Sequence, residues 1–338
     1  MLKTNVSNSI GQKIWFAKEK VITIAGNKQA KAGHQDGAAQ DSLFDHPNNI
    51  TIHKNLNVLF VGDSDNHVIR RIDISFIDCG NSNHSFEFLV STVCGNPQQS
   101  GFEDGVGNEA KLSWPTGMAF SKIDENLLYF CDSENNCIRT VNVLTKLVST
   151  IVGNPIQAGF KDGIGNEAQF GFPFGICVDK NENLFVCDNW NHSIRKISFR
   201  SNPTESPQSH VIVATLFGNQ LSNGMKEGNK SIATLNRPQS ILFDKVSNCL
   251  IFTQENSIRQ IKLGKSFMEW KLTTIFFIYR ILLKQCEESI SKRLLLQLIS
   301  FQILQSSTSN ETENPQMRSS NTKTLIKPEI RFKGGNKN

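Results

Sequence analysis

The chain has 338 residues, 38% of them hydrophobic and 20% charged, an ordinary soluble balance with length for one large all-β domain or two small ones. Its 36 Lys+Arg and 31 Asp+Glu give a net charge of +5, and residues 266–338 hold 11 basic and 6 acidic side chains, so that stretch carries the whole excess. The remainder is close to neutral and lacks the electrostatic footprint that general nucleic-acid binding needs.

In chain order, residues 1–19 are polar around one apolar knot, Ile14, Trp15 and Phe16, and MLKTNVSNSI has no apolar core of the kind a signal peptide carries. Residues 20–26 read as a strand, VITIAG, followed by a Gly/Gln/Asp/Asn-rich loop to Pro47. Short strands are predicted over 49–53, 58–62, 67–74 and 88–94, with the insertion CGNSNHS between the last two. The same order then recurs. VSTVCGN, SGFEDGVGNEAKLSWP, TGMAF and ENLLYFCDSENNCIRTV are followed by VSTIVGN, AGFKDGIGNEAQFGFP, FGICVD and LFVCDNWNHSIRKI. A weaker copy reads VATLFGN, NGMKEGNKSIATLNRP and LIFTQENSIRQI, with 271–275 as its outer strand. The copies share Pro47, Pro115, Pro173 and Pro238, Gly26, Gly95, Gly153 and Gly218, and Arg70, Arg139, Arg195 and Arg259. The chain is therefore a repeat protein. Beyond Ile275 the pattern breaks into FFIYRILLKQCEESISKRLLLQLISFQIL, which predicts a helical segment over 276–304, interrupted by charge before it reaches membrane-spanning length. Residues 305–338, rich in Ser, Thr, Asn and Lys, predict a disordered tail.

Four short strands per unit without helical periodicity predict an all-β propeller, in which each four-stranded sheet buries its faces against neighbouring blades. The segments DSDNHVIR and DNWNHSIR resemble NHL repeats, a six-bladed β-propeller family, over residues 20–275. Asp63, Asn66 and His67, and Asp188, Asn191 and His192, match the motif. The second copy has Asn136 in place of the histidine, and the fourth loses the aspartate in a shortened turn. Only four blades can be drawn, so an incomplete ring is expected, with residues 20–26 as the outer strand of a further blade. Its open edges predict self-association, a partner that completes the ring, or a truncated product.

Alternating strand direction puts the Asp-x-x-Asn-His turns and the Asp-Gly loops on one rim, where a partner is expected. Phe102, Asp104, Phe160 and Asp162 in the loops, and Asp63, Asp132, Asp188 and Trp190 in the turns, are the candidate contacts. For the turn aspartates the favoured alternative is a structural role, accepting backbone N–H groups. For the arginines it is an ion pair or carbonyl contact that ties strands together. His67 and His192 lie on different blades and predict no shared metal site, and the Asp-Gly-x-Gly-x-Glu loops offer too few oxygens for calcium. Phe102 and Phe160, with Ala110 and Ala168, are expected to tuck the loop onto its blade. No nucleophile elbow or phosphate cradle is visible. The eight cysteines form no Cys-x-x-Cys pair, and Cys131 and Cys187 read as reduced core thiols of a cytoplasmic protein.

The expected function is a non-enzymatic scaffold that binds protein through the loop face, without cofactor or metal. Resemblance to the NHL domains of tripartite-motif proteins implies single-stranded RNA binding as an alternative. Resemblance to other six-bladed propellers implies a metal-dependent lyase or lactonase, for which the inner strands offer only Asp179.

Overall fold

In a computed structural model the described residues are 22–27, 29, 31–54, 57–78, 84–200 and 210–264, with two paired two-residue strands, Val6–Ser7 and Lys13–Ile14. The expectations for 276–304, 305–338 and a strand at 271–275 lie outside them. The described residues form an all-β propeller of four blades, where the resemblance implied six.

Blade one comprises Pro47–His53, Val58–Asp63, Val68–Asp78 and His84–Cys94. Blade two comprises Pro115–Phe120, Leu127–Asp132, Cys137–Asn142 and Leu147–Gly153. Blade three comprises Pro173–Val178, Leu184–Asp188, Ser193–Phe199 and Val211–Gly218. In each, neighbours in sequence pair antiparallel. Blade four has three described strands, Pro238–Asp244, Cys249–Gln254 and Ser257–Lys262.

Two differences from the sequence expectation have clear causes. The first three sheets have five strands, because each preceding loop adds a two-residue strand (Gly37–Ala38, Gly105–Val106 or Gly163–Ile164) to the outer edge of its own blade. The insertion in blade one lengthens its outer hairpin, with pairing extended to Asp78 and His84. Residues 22–26, expected to be a strand, pair with no sheet, since the inner strands of the blade they would complete are missing.

The proline-led strand of each blade is the innermost, and consecutive inner strands meet around the axis. Glycine permits that approach: a Cβ on Gly117 would lie 2.3 Å from the Phe174 carbonyl oxygen, and one on Gly175 would lie 2.1 Å from that of Gln239. Apolar cores fill the junctions. Phe60, Ile69 and Cys94 of blade one meet Leu112, Leu128 and Phe130 of blade two. Cys131 and Ile138 then meet Phe170 and Val186, and Phe185 and Cys187 meet Leu250 and Phe252. Since sheet faces are apolar on both sides, each blade is stable only between neighbours.

Candidate functional site

The turn between the second and third strands of each blade meets the long loop on one rim. In blade two, Arg139 is fully buried and its guanidinium reaches the Asp132 carboxylate at 2.7 Å and the Lys111 carbonyl at 2.8 Å with one nitrogen. Its other terminal nitrogen reaches Asp104 and the Glu103 carbonyl, both at 2.7 Å. Phe102 lies over the guanidinium at 5.0 Å. Asp132 also accepts from the Ser113 amide at 2.7 Å and from the Asn135 side chain at 2.8 Å. Asp104 accepts the amide and hydroxyl of Thr150, both at 2.9 Å, which ties the loop to the outer strand. The flat fork of an arginine suits two carboxylates and two carbonyls, which a lysine ammonium could not serve in this geometry.

The clasp recurs. In blade three, Arg195 bonds Asp188 at 2.6 Å and Asp162 at 2.8 Å beneath Phe160. In blade one, Arg70 bonds Asp63 at 2.7 Å and Asp36 at 2.8 Å. There His34 stands where the loops of blades two and three have phenylalanine, and bonds Thr92 at 2.8 Å. Blade four keeps only the carbonyl half, Arg259 donating to Thr234 at 2.6 Å and Lys226 at 3.0 Å. Gln254 replaces the turn aspartate, and among the described residues no carboxylate pairs with Arg259.

A second set of bonds joins blade to blade. Nδ1 of His67 accepts the Trp114 amide at 3.3 Å, and Nδ1 of His192 accepts the Arg237 amide at 3.1 Å. The Asn136 side-chain oxygen does the same for Phe172 at 2.9 Å, so histidine and asparagine are interchangeable here. Beside them the Ser64, Ser133 and Asn189 side chains donate to the carbonyls of Pro115, Pro173 and Pro238 at 2.8, 2.6 and 3.0 Å.

Part of the rim expected to meet a partner is turned inward. Asp63, Asp132 and Asp188 are fully buried, and Asn66, Asn135 and Asn191 donate to them in turn and to the Gly33, Gly101 and Gly159 carbonyls. Phe102, Asp104, Phe160 and Asp162 contact the arginines, yet Phe102, Asp104 and Asp162 remain exposed and Phe160 half-buried, while Ala110 and Ala168 are buried and hold the loop down. Trp190 stands apart: it is 57% exposed and stacks on Phe172 with ring centroids 4.8 Å apart. Phe172 also contacts Trp114 at 5.3 Å and Phe174 at 6.3 Å, which gives an aromatic patch across blades two and three. Sequence reasoning missed Trp114 and Phe172 because the equivalent positions hold His46 and Arg237. What the four share is a left-handed backbone, with φ of 48, 58, 54 and 43° at His46, Trp114, Phe172 and Arg237. The turn position of Trp190 holds Asp65 in blade one and Glu134 in blade two, both exposed, so the patch has acidic neighbours.

Among the described residues the ligand-type side chains that converge are Asp45, His46 and Asp65 at the surface. Nδ1 of His46 already pairs with Asp65 at 2.7 Å, and two carboxylates with one imidazole make a sparse donor set for an ion. Asp179, the inner-strand carboxylate, accepts from the Asn181 and Asn183 amides at 2.8 and 2.9 Å, so it closes its own turn.

Burial sets the electrostatics of the clasps. It pushes the Asp188 carboxyl up to about 6 against the pull of Arg195, and raises Asp63 and Asp132 as well. Desolvation would also raise the half-exposed Asp162, but its bonds to Thr215 and Arg195 outweigh that and hold it low. A folded-state value above the unfolded one means that the native state binds the extra proton, so this group's contribution to stability falls as pH rises from about 4 to about 6. Urea melts of the parent and of Asp188→Asn at pH 5 and pH 7 test this. The stability advantage of the parent over the variant should be larger at pH 5, by about 1 kcal/mol.

The family model that describes the NHL repeat matches residues 170–197, which span the loop end, inner strands, turn and arginine of blade three. The chain is an NHL repeat-containing protein. It is 22% identical over 340 residues to the human protein named NHL repeat-containing protein 2, covering 79% of this chain and 44% of that one. It is 30% identical over 185 residues to Protein SUPPRESSOR OF QUENCHING 1, chloroplastic, of Arabidopsis thaliana, covering 54% of this chain and 16% of that one. The chain thus spans less than half the length of these relatives. Among solved structures it overlays a putative phosphatase from Bacteroides thetaiotaomicron with a TM-score of 0.40 and 14% identity, covering 72% of this chain and 78% of that one. A streptogramin B lyase gives 0.37 and 14%, covering 68% and 56%.

Proposed function

We propose that this NHL-repeat propeller is a non-enzymatic scaffold that binds a protein segment on its loop face, with the Trp190, Phe172 and Trp114 patch as the point of contact. The observation that carries the reading is the exposed Trp190 stacked on Phe172 above a rim clasped rigid by buried arginines. Tryptophan dominates binding energy where it can be desolvated against a firm neighbour. The acidic neighbours Asp65 and Glu134 favour a segment that combines an apolar side chain with a basic one, and oppose a phosphate backbone. For a lyase or lactonase role, convergent histidines or carboxylates on the inner strands would be required, and Asp179 is committed to its turn. We place the protein in the cytoplasm, a reading supported by six buried free thiols, including Cys131 and Cys187. Among the described residues no helix is long and apolar enough to cross a membrane.

Selection of a displayed peptide library on the purified chain tests the reading. Enriched peptides should carry an aromatic or aliphatic residue beside Lys or Arg, bind equally with and without chelator, and lose roughly tenfold or more in affinity to Trp190→Ala. Peptides unaffected by that substitution, or tighter binding to single-stranded oligonucleotide at physiological salt, would overturn it.

A further inference from the structure

We infer that a second copy of this chain completes the propeller, the front of its blade one docking on the back of blade four. The interface is the blade junction that already occurs three times within the chain, so the inference stands apart from binding at the loop face.

Both halves of a fourth junction are present and unused. At the front of blade one, Ile50 and Ile52 are 59% and 62% exposed. Of the residues in register with them in blades two and three, Met118, Ile176 and Val178 are each 5% exposed beneath the preceding blade, and Phe120 is half-buried there. At the back of blade four, Leu242 and Ile258 are 52% and 75% exposed, while their counterparts Cys177 and Ile194 in blade three are buried by blade four. Asn256 holds the sequence position of Asn136 and His192, which accept the amide of the residue before the next proline, and it is exposed. In blade one that residue is His46.

The backbone is complementary too. Among the described residues Ser257–Lys262 forms the edge of blade four, and no outer strand pairs with it. Residues 22–26 match the outer strands of the other blades in sequence and already sit where a preceding blade's outer strand belongs. The Gly26 amide bonds the Ala39 carbonyl at 2.8 Å, as Gly95 bonds Gly107 at 3.1 Å, and a cleft of about 390 Å³ remains between this segment and Phe44, Leu59 and Val61. When two copies meet, residues 22–26 of each add antiparallel to Ser257–Lys262 of the other. The contact is head-to-tail, and such contacts give closed rings when the rotation allows. Two copies supply eight blades, within the usual range of about four to eight, whereas three would exceed it.

Light scattering on the full chain at micromolar concentration tests this, with Ile52→Glu for the front and Ile258→Glu for the back. Both side chains are exposed, so each variant should keep the parent circular dichroism. The parent should run at twice the chain mass, and each variant should weaken association by at least about tenfold. An equimolar mixture of the two variants should recover the dimer, because one of its two junctions is then free of both changes. A monomeric parent, as would follow if another part of the same chain covered blade four, would overturn the inference. So would a dimer lost with one variant only, the mark of a symmetric contact, or a dimer untouched by either.

Discussion

Replacing Arg139 by alanine is expected to destabilise the protein by roughly 3–5 kcal/mol, the usual cost of breaking one side of a buried ion pair. The substitution strands the fully buried Asp132, takes one of two donors from each of the Lys111 and Glu103 carbonyls, and frees the Asp104 loop from the third strand. Lysine should not restore stability, because one ammonium cannot replace a planar fork with four acceptors. Arg259→Ala in blade four is the comparison. It loses two carbonyl contacts and no carboxylate, so about 1–2 kcal/mol is expected. Urea denaturation of the three variants checks the ordering, and equal losses for Arg139→Ala and Arg259→Ala would show that the carboxylates add little.

Gly117→Ala is the second large effect. Its Cβ would sit 2.3 Å from the Phe174 carbonyl oxygen and 2.8 Å from the Cα of Gly175, both backbone atoms of the next blade. Backbone in a closed ladder has nowhere to go, so blades two and three must separate along the axis. The expected loss is about 3 kcal/mol, at the upper end for overpacking. Gly101→Ala is the control, since its Cβ would meet only the flexible Lys111 side chain at 3.3 Å. The melting temperature should fall steeply for the first and little for the second.

Much of this architecture is legible in the sequence because its markers are backbone requirements. Pro115 and Pro173 open inner strands, and Asp132 and Arg139, seven positions apart in each complete copy, each read as structural, though the sequence alone does not join them as partners. The bond from Asp104 to the arginine was less legible. A loop rich in glycine reads as exposed, and nothing in its composition shows that Thr150 of the outer strand waits for its carboxylate. The two-residue strands such as Gly105–Val106 are too short for any periodicity to register. The aromatic patch escaped because its members align with histidine and arginine, and only their shared left-handed backbone marks them as one position. Trp190 stood out because it interrupts an otherwise acidic series.

The arginine clasp has a consequence for how such chains change over generations. Every group that holds Arg139, from the Glu103 carbonyl to Asp132, lies within one uninterrupted stretch of sequence, and so do those of Arg70 and Arg195. Duplicating or deleting such a stretch therefore copies or removes a finished part, with no orphaned charge left in its neighbours. What must be remade are the apolar contacts between sheets and the light joints through Ser64, Ser133 and Asn189 and through His67, Asn136 and His192, the last set tolerating either of two side chains. Blade number is thus the property of this lineage least constrained by its own interior chemistry.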